Sequence, residues 1–111
     1  MGKYSEDKIT YNKLVRDFIP KVITSSNKSY TSHIASDDEY KNELFKKLRE
    51  ETDELISEPC IEEIADVLEV LDSIKTLYGF SDNDINAAKM SKLKERGGFD
   101  KRIILETVTK K

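Results

Sequence analysis

Between Glu50 and Asp66 the sequence places two acidic clusters, Glu50-Glu51-Thr52-Asp53-Glu54 and Glu62-Glu63-Ile64-Ala65-Asp66, around a break at Ser57-Glu58-Pro59. Glu51 and Glu54 are three residues apart, as are Glu63 and Asp66, and that spacing puts both members of a pair on one face of a helix. If two helices fold back on each other about a turn near Glu58, the two pairs are equidistant from the turn and all four carboxylates meet at one level. At an effective dielectric of about 20, two unit charges ~5 Å apart repel by roughly 3 kcal/mol. Four facing carboxylates therefore need protons or a cation between them. An all-oxygen ligand set suits Mg²⁺, with Mn²⁺ as the alternative. Carboxylate-bridged iron in helical bundles needs Glu-x-x-His, and the only histidine, His33, is far from that spacing. A solvated helix face is the competing reading for any one glutamate alone. Glu50, Asp53 and Glu62 fit that face better, with Glu50 or Glu62 available to position water.

The elements that must carry these residues are helical. Ser36-Asp37-Asp38-Glu39 forms a capping box, in which the serine accepts from first-turn amides and Glu39 reaches back. It opens a helix to about Ser57. Tyr40, Leu44, Leu48, Glu51 and Leu55 form one stripe on it, so Glu51 lies in phase with the apolar face and Glu54 borders it. Pro59 suits the first turn of the next helix, which runs to about Tyr78 and stops at Gly79. Its apolar residues cover more than one stripe and predict burial on two sides, with Glu63 and Asp66 leading into the Val67/Val70/Ile74 face. Ser81-Asp82-Asn83-Asp84 caps a third long helix through about Glu95. That run superficially resembles a calcium loop but lacks its central glycine and terminal glutamate, and capping accounts for it. Lys89, Lys92 and Arg96 share one side of this helix, as a phosphate-binding stripe or a solvated face. Gly97-Gly98 ends it.

Before these helices, Leu14, Val15, Phe18 and Ile19 have helical spacing, and a short irregular helix is expected over Arg16 to Thr24, with Pro20 in a first turn or at a kink. The β-formers of Tyr30 to Ala35 and Arg102 to Val108 suggest a minor two-stranded pairing. The fold class expected is thus an all-α helical bundle built on an antiparallel helix hairpin. It forms one domain over residues 1–111, with 1–10 and 109–111 loose.

The 111 residues carry 37% charged and 37% apolar side chains and a net charge of −3. The acidic balance excludes overall attraction to a nucleic acid polymer or an anionic membrane. No apolar run approaches the ~18 residues of a membrane span. The single cysteine, Cys60, fits a reducing cytoplasm. It starts a helix, where a thiolate is favoured, but no Cys–His pairing supports nucleophilic catalysis.

Glu50-Glu51-x-x-Glu54 followed by Glu63-x-x-Asp66 resembles the signature of the all-α nucleoside triphosphate pyrophosphohydrolases. This MazG-like superfamily also contains phosphoribosyl-ATP pyrophosphohydrolases and dimeric dUTPases. Tyr11-Asn12-Lys13-Leu14-Val15-Arg16-Asp17-x-Ile19-Pro20 and Lys92-x-x-x-Arg96-Gly97-Gly98-Phe99 look like the small single-domain branch labelled phosphoribosyl-ATP pyrophosphohydrolase-like. Phe18 departs from that branch, which often has a charged residue there. The resemblance spans roughly Tyr11 to Leu105. It implies a homodimer or dimer of dimers that cleaves a nucleotide substrate between its α and β phosphates. Glu51, Glu54, Glu63 and Asp66 would be the metal ligands and catalytic residues, Lys92 and Arg96 would contact phosphates, and Asn12, Lys13 and Arg16 would line the substrate site. House-cleaning hydrolysis of nucleoside triphosphates is the leading expectation. The alternatives are the histidine-pathway step on phosphoribosyl-ATP and an inactive nucleotide-binding or interaction module of the same fold.

Overall fold

The structure, a computed structural model, describes residues 8–111; part of the loose lead-in expected over 1–10 lies outside them. It is all-helical, with α1 (Ile19–Ser25), α2 (Asp37–Ser57), α3 (Ile61–Tyr78) and α4 (Asp82–Arg96). Two compact units divide the chain, the first ending at Leu77 and the second spanning Tyr78–Lys111. No helix among the described residues is long and apolar enough to cross a membrane.

α1 begins at Ile19, three residues after the expected Arg16, with Pro20 in its first turn. A helix started at Arg16 would need the residue 20 amide to donate to the Arg16 carbonyl, and proline has no N–H to give. Instead the Ile19 amide closes a tight turn onto that carbonyl at 3.0 Å.

α2 starts where the capping chemistry dictates. Ser36 is extended, and its Oγ accepts from the Glu39 amide at 3.3 Å, satisfying one orphan donor of the first turn. Asp37, Asp38 and Glu39 add favourable charge at the positive end of the helix dipole. The reciprocal half of the expected box is replaced. Both Glu39 carboxylate oxygens lie 3.0 Å from His33 Nε2, so the side chain ties the incoming loop to the first turn.

Glu58 caps the C-terminus of α2, its amide donating to the Glu54 carbonyl at 2.9 Å. Pro59 and Cys60 then precede α3, and the Cys60 carbonyl receives the Ile64 amide at 3.2 Å. Pro59 therefore sits just outside the helix rather than in its first turn. The three-residue break folds α3 back on α2. Gly79, at φ +71°, then terminates α3 in the left-handed region that costs glycine no Cβ clash. In the second unit, Ser81 Oγ caps α4 by accepting from the Asp84 amide at 3.0 Å. Gly97 ends it at φ +81°, donating to the Leu93 carbonyl.

The core of the described residues is small. Leu44 on α2 and Val70 on α3 are its buried apolar side chains, and Glu51 is buried with them. Val67, Ile74 and Leu77 are half-buried. The second side of α3, which the sequence predicts to be covered, is open: Ile61, Ile64, Leu68 and Leu71 all remain exposed.

The expected β pairing of Tyr30–Ala35 with Arg102–Val108 is absent, and neither segment forms a strand. Strand preference reflects packing on a half-buried pleated surface, and two isolated strands are marginal in water. These segments find no such surface: Ile34 is 96% exposed and Ile104 82%.

Candidate metal centre

The hairpin brings the acidic pairs together. One carboxylate oxygen from each of Glu51, Glu54, Glu63 and Asp66 lies within 4.8 Å of all the others. Glu51 is 7% exposed. Glu63 and Asp66 are half-buried, and Glu54 stands at the exposed rim. Glu51 Oε2 and Glu63 Oε2 are buried with no hydrogen-bond partner. An unmade bond at a buried polar atom costs free energy, most of all when the group is charged.

The electrostatics follow from this placement. Burial pushes the Glu51 carboxyl above the ordinary carboxylate range. Glu54, which can share its proton, and the Asp66 charge push it the same way, while Lys47 opposes them. Lys47 Nζ lies 3.5 Å from Glu51 Oε1 and 3.3 Å from Glu50 Oε1. Glu50 behaves oppositely. The hydrogen bond from Lys13, aided by Lys47, holds it below the ordinary range against the effect of burial. That same bond raises Lys13. Asp53 and Glu62 are exposed, as a solvated face requires.

The N-terminal stretch joins the centre through side chains. Lys13 Nζ donates to Glu50 Oε1 at 3.0 Å, and Arg16 Nη2 donates to Asp66 Oδ1 at 2.7 Å. Asn12, between Tyr11 and Lys13, adopts φ +47°, a left-handed turn that asparagine tolerates better than most residues. Lys92 and Arg96 are exposed on the last turns of α4, in the second unit. The structure thus gathers the quartet, Lys13 and Arg16 in the first unit.

The residue that sequence reasoning overlooked is Lys47. Its signal was present, three residues before Glu50 and four before Glu51, the spacings at which helix neighbours pair. Of the groups joined by these contacts, five are carboxylates and three are cations. The donor set is all oxygen, two of its atoms are buried without partners, and four ligand atoms converge. The residues present therefore offer the oxygen donors that a hard divalent cation takes.

Comparison of the chain with protein-family models gave no match, and neither did comparison with curated proteins or with solved structures.

Proposed function

We propose that this chain is a divalent-cation-dependent nucleotide pyrophosphohydrolase of the MazG-like type, converting a nucleoside triphosphate to its monophosphate and pyrophosphate. One observation carries the reading: four carboxylates converge within 4.8 Å, with buried, partnerless oxygens on both Glu51 and Glu63. Glu51, Glu54, Glu63 and Asp66 would hold Mg²⁺, or Mn²⁺ in its place. When bound, the cation neutralises phosphate oxygens and lowers the pKa of a coordinated water.

The chain's own residues do the rest. Without a counter-charge the quartet repels a triphosphate, so the carboxylates make substrate binding conditional on the cation. A quartet carboxylate accepts the proton of the attacking water. Asn12 and Lys13 line the substrate site. The free, exposed Cys60 has no part in the chemistry and suits a reducing, cytoplasmic setting.

The experiment is an incubation with canonical and modified (d)NTPs and with phosphoribosyl-ATP, with and without Mg²⁺, the products separated by anion exchange. Monophosphate plus pyrophosphate from a nucleoside triphosphate, in Mg²⁺ alone, is expected. Product from phosphoribosyl-ATP only would move the activity to the histidine pathway. No product from any nucleotide would leave a binding module.

A second copy of the chain completes this reading. Ile61, Ile64, Leu68 and Leu71 are 83%, 47%, 55% and 38% exposed, and they recur at the three- and four-residue steps of a helix-pairing seam. Such a seam matches its own copy across a two-fold axis. Replacing both Leu68 and Leu71 by glutamate is expected to halve the mass measured by light scattering, from about two chains to one. A wild-type mass near the 12.8 kDa of one chain would contradict the dimer.

A further inference from the structure

Two ion pairs reach from one short stretch to both helices of the hairpin. Lys13 is bonded to Glu50 of α2, 37 residues away, and Arg16 to Asp66 of α3, 50 residues away. The stretch between them has no regular secondary structure, and Leu14 is its half-buried residue. Residues 13–16 therefore span the acidic centre as a strap fixed to each side. Only one of the pairs involves a quartet carboxylate, because Glu50 is not among the four converging residues.

We infer that Arg16 is a positioning residue for the cation site: its guanidinium fixes the Asp66 carboxylate through Oδ1, so that the group's other oxygen is presented to a divalent cation. The inference rests on the cation reading above and replaces lining of the substrate site as the first role of Arg16. The Arg16 side chain is 56% exposed and that of Asp66 35%, so the pair adds little to stability and its consequence is orientation. Partners that hold a metal-ligating carboxylate commonly matter to affinity about as much as a weak ligand does. The sign of the effect is diagnostic. Were Arg16 only a resident positive charge, its removal would strengthen cation binding by relieving repulsion. As an orienting group, its removal weakens binding.

The test uses the full chain stripped of metal with a chelator and titrated with Mn²⁺, free Mn²⁺ being read by electron paramagnetic resonance without any nucleotide. Arg16→Gln is expected to raise the Mn²⁺ dissociation constant about tenfold or more. Arg16→Lys, which keeps a donor but not the planar fork, should recover part of that loss. Circular dichroism matching wild type establishes that the variants are folded. An unchanged constant in Arg16→Gln, or a tighter one, overturns the positioning role. Glu63→Ala separates the two levels of the argument. If wild type binds Mn²⁺, Glu63→Ala does not, and Arg16→Gln equals wild type, only the role of Arg16 falls. If wild type itself takes up no Mn²⁺, the cation reading falls and the role of Arg16 with it.

Discussion

Glu63→Ala and Asp66→Asn should each reduce Mg²⁺-dependent pyrophosphate release by about a thousandfold or more while leaving helical content unchanged. Loss of a group that holds charge at a reacting centre costs roughly 10²–10³ in rate, and the proposed cation site would be lost with it. Each substitution removes one of the four converging carboxylates. Glu63 contributes a buried oxygen, Oε2, that has no hydrogen-bond partner, so its removal breaks no hydrogen bond at that atom. Asp66→Asn retains the side-chain shape, but its amide cannot replace an anionic ligand and its contact with Arg16 loses the charge assistance. The helices should persist, because α2 and α4 are capped by Ser36 and Ser81 independently of the quartet. Near-wild-type turnover in both variants would refute the assignment of these carboxylates.

The second large effect is on stability, and its direction reverses with the cation. Glu51 is buried beside Glu54 and Asp66, and its carboxyl lies above the ordinary range. Between the unfolded value and that raised one, the folded chain binds more protons than the unfolded chain. Stability therefore falls as the pH rises through this window, and above it the ionised carboxylate is destabilising in full. Glu51→Gln removes the charge, keeps the shape and can donate to Glu54. In chelator at neutral pH it should melt several degrees above wild type, since about 1 kcal/mol corresponds to roughly 4–8 °C in a domain of this size. The gap should close as the pH falls through the window. Glu50 titrates with the opposite sign in both proteins, since its lowered value gives stability that is lost on acidification. With Mg²⁺ the order inverts. A cation at a hundred times its dissociation constant stabilises wild type by about 2.7 kcal/mol, and Glu51→Gln should respond little. A variant less stable than wild type in chelator, or equally stabilised by Mg²⁺, would contradict this account.

Much of the architecture was legible because its signals are local. Ser36 and Ser81 mark helix starts, Gly79 and Gly97 mark stops, and each acts within a turn of its position. The quartet was legible for a related reason. Two i, i+3 pairs symmetric about a short break can meet only if the break is a turn, and helix periodicity alone puts Glu51 on the apolar side. The features that escaped are those decided by distant partners. No local rule selects Asp66 as the partner of Arg16, and Glu39 chose His33 over its own cap because the incoming loop placed an imidazole within 3.0 Å. The strand expectation failed on the same account. Ile34 and Ile103–Leu105 have the composition of strands, but a strand exists only where a neighbour and a covering layer exist. The open side of α3 belongs here too: its apolar pattern marks a surface to be covered, and the described residues do not cover it.

On the proposed reading, Glu51, Glu54, Glu63 and Asp66 together hold one divalent cation. Calorimetric titration of Mg²⁺ into chelator-stripped protein tests it most directly, with wild type and Glu63→Ala run side by side. Saturable binding of one cation per quartet in wild type, lost in the variant, is the predicted result. The same isotherm for both proteins, or no binding by wild type at millimolar Mg²⁺, would contradict it.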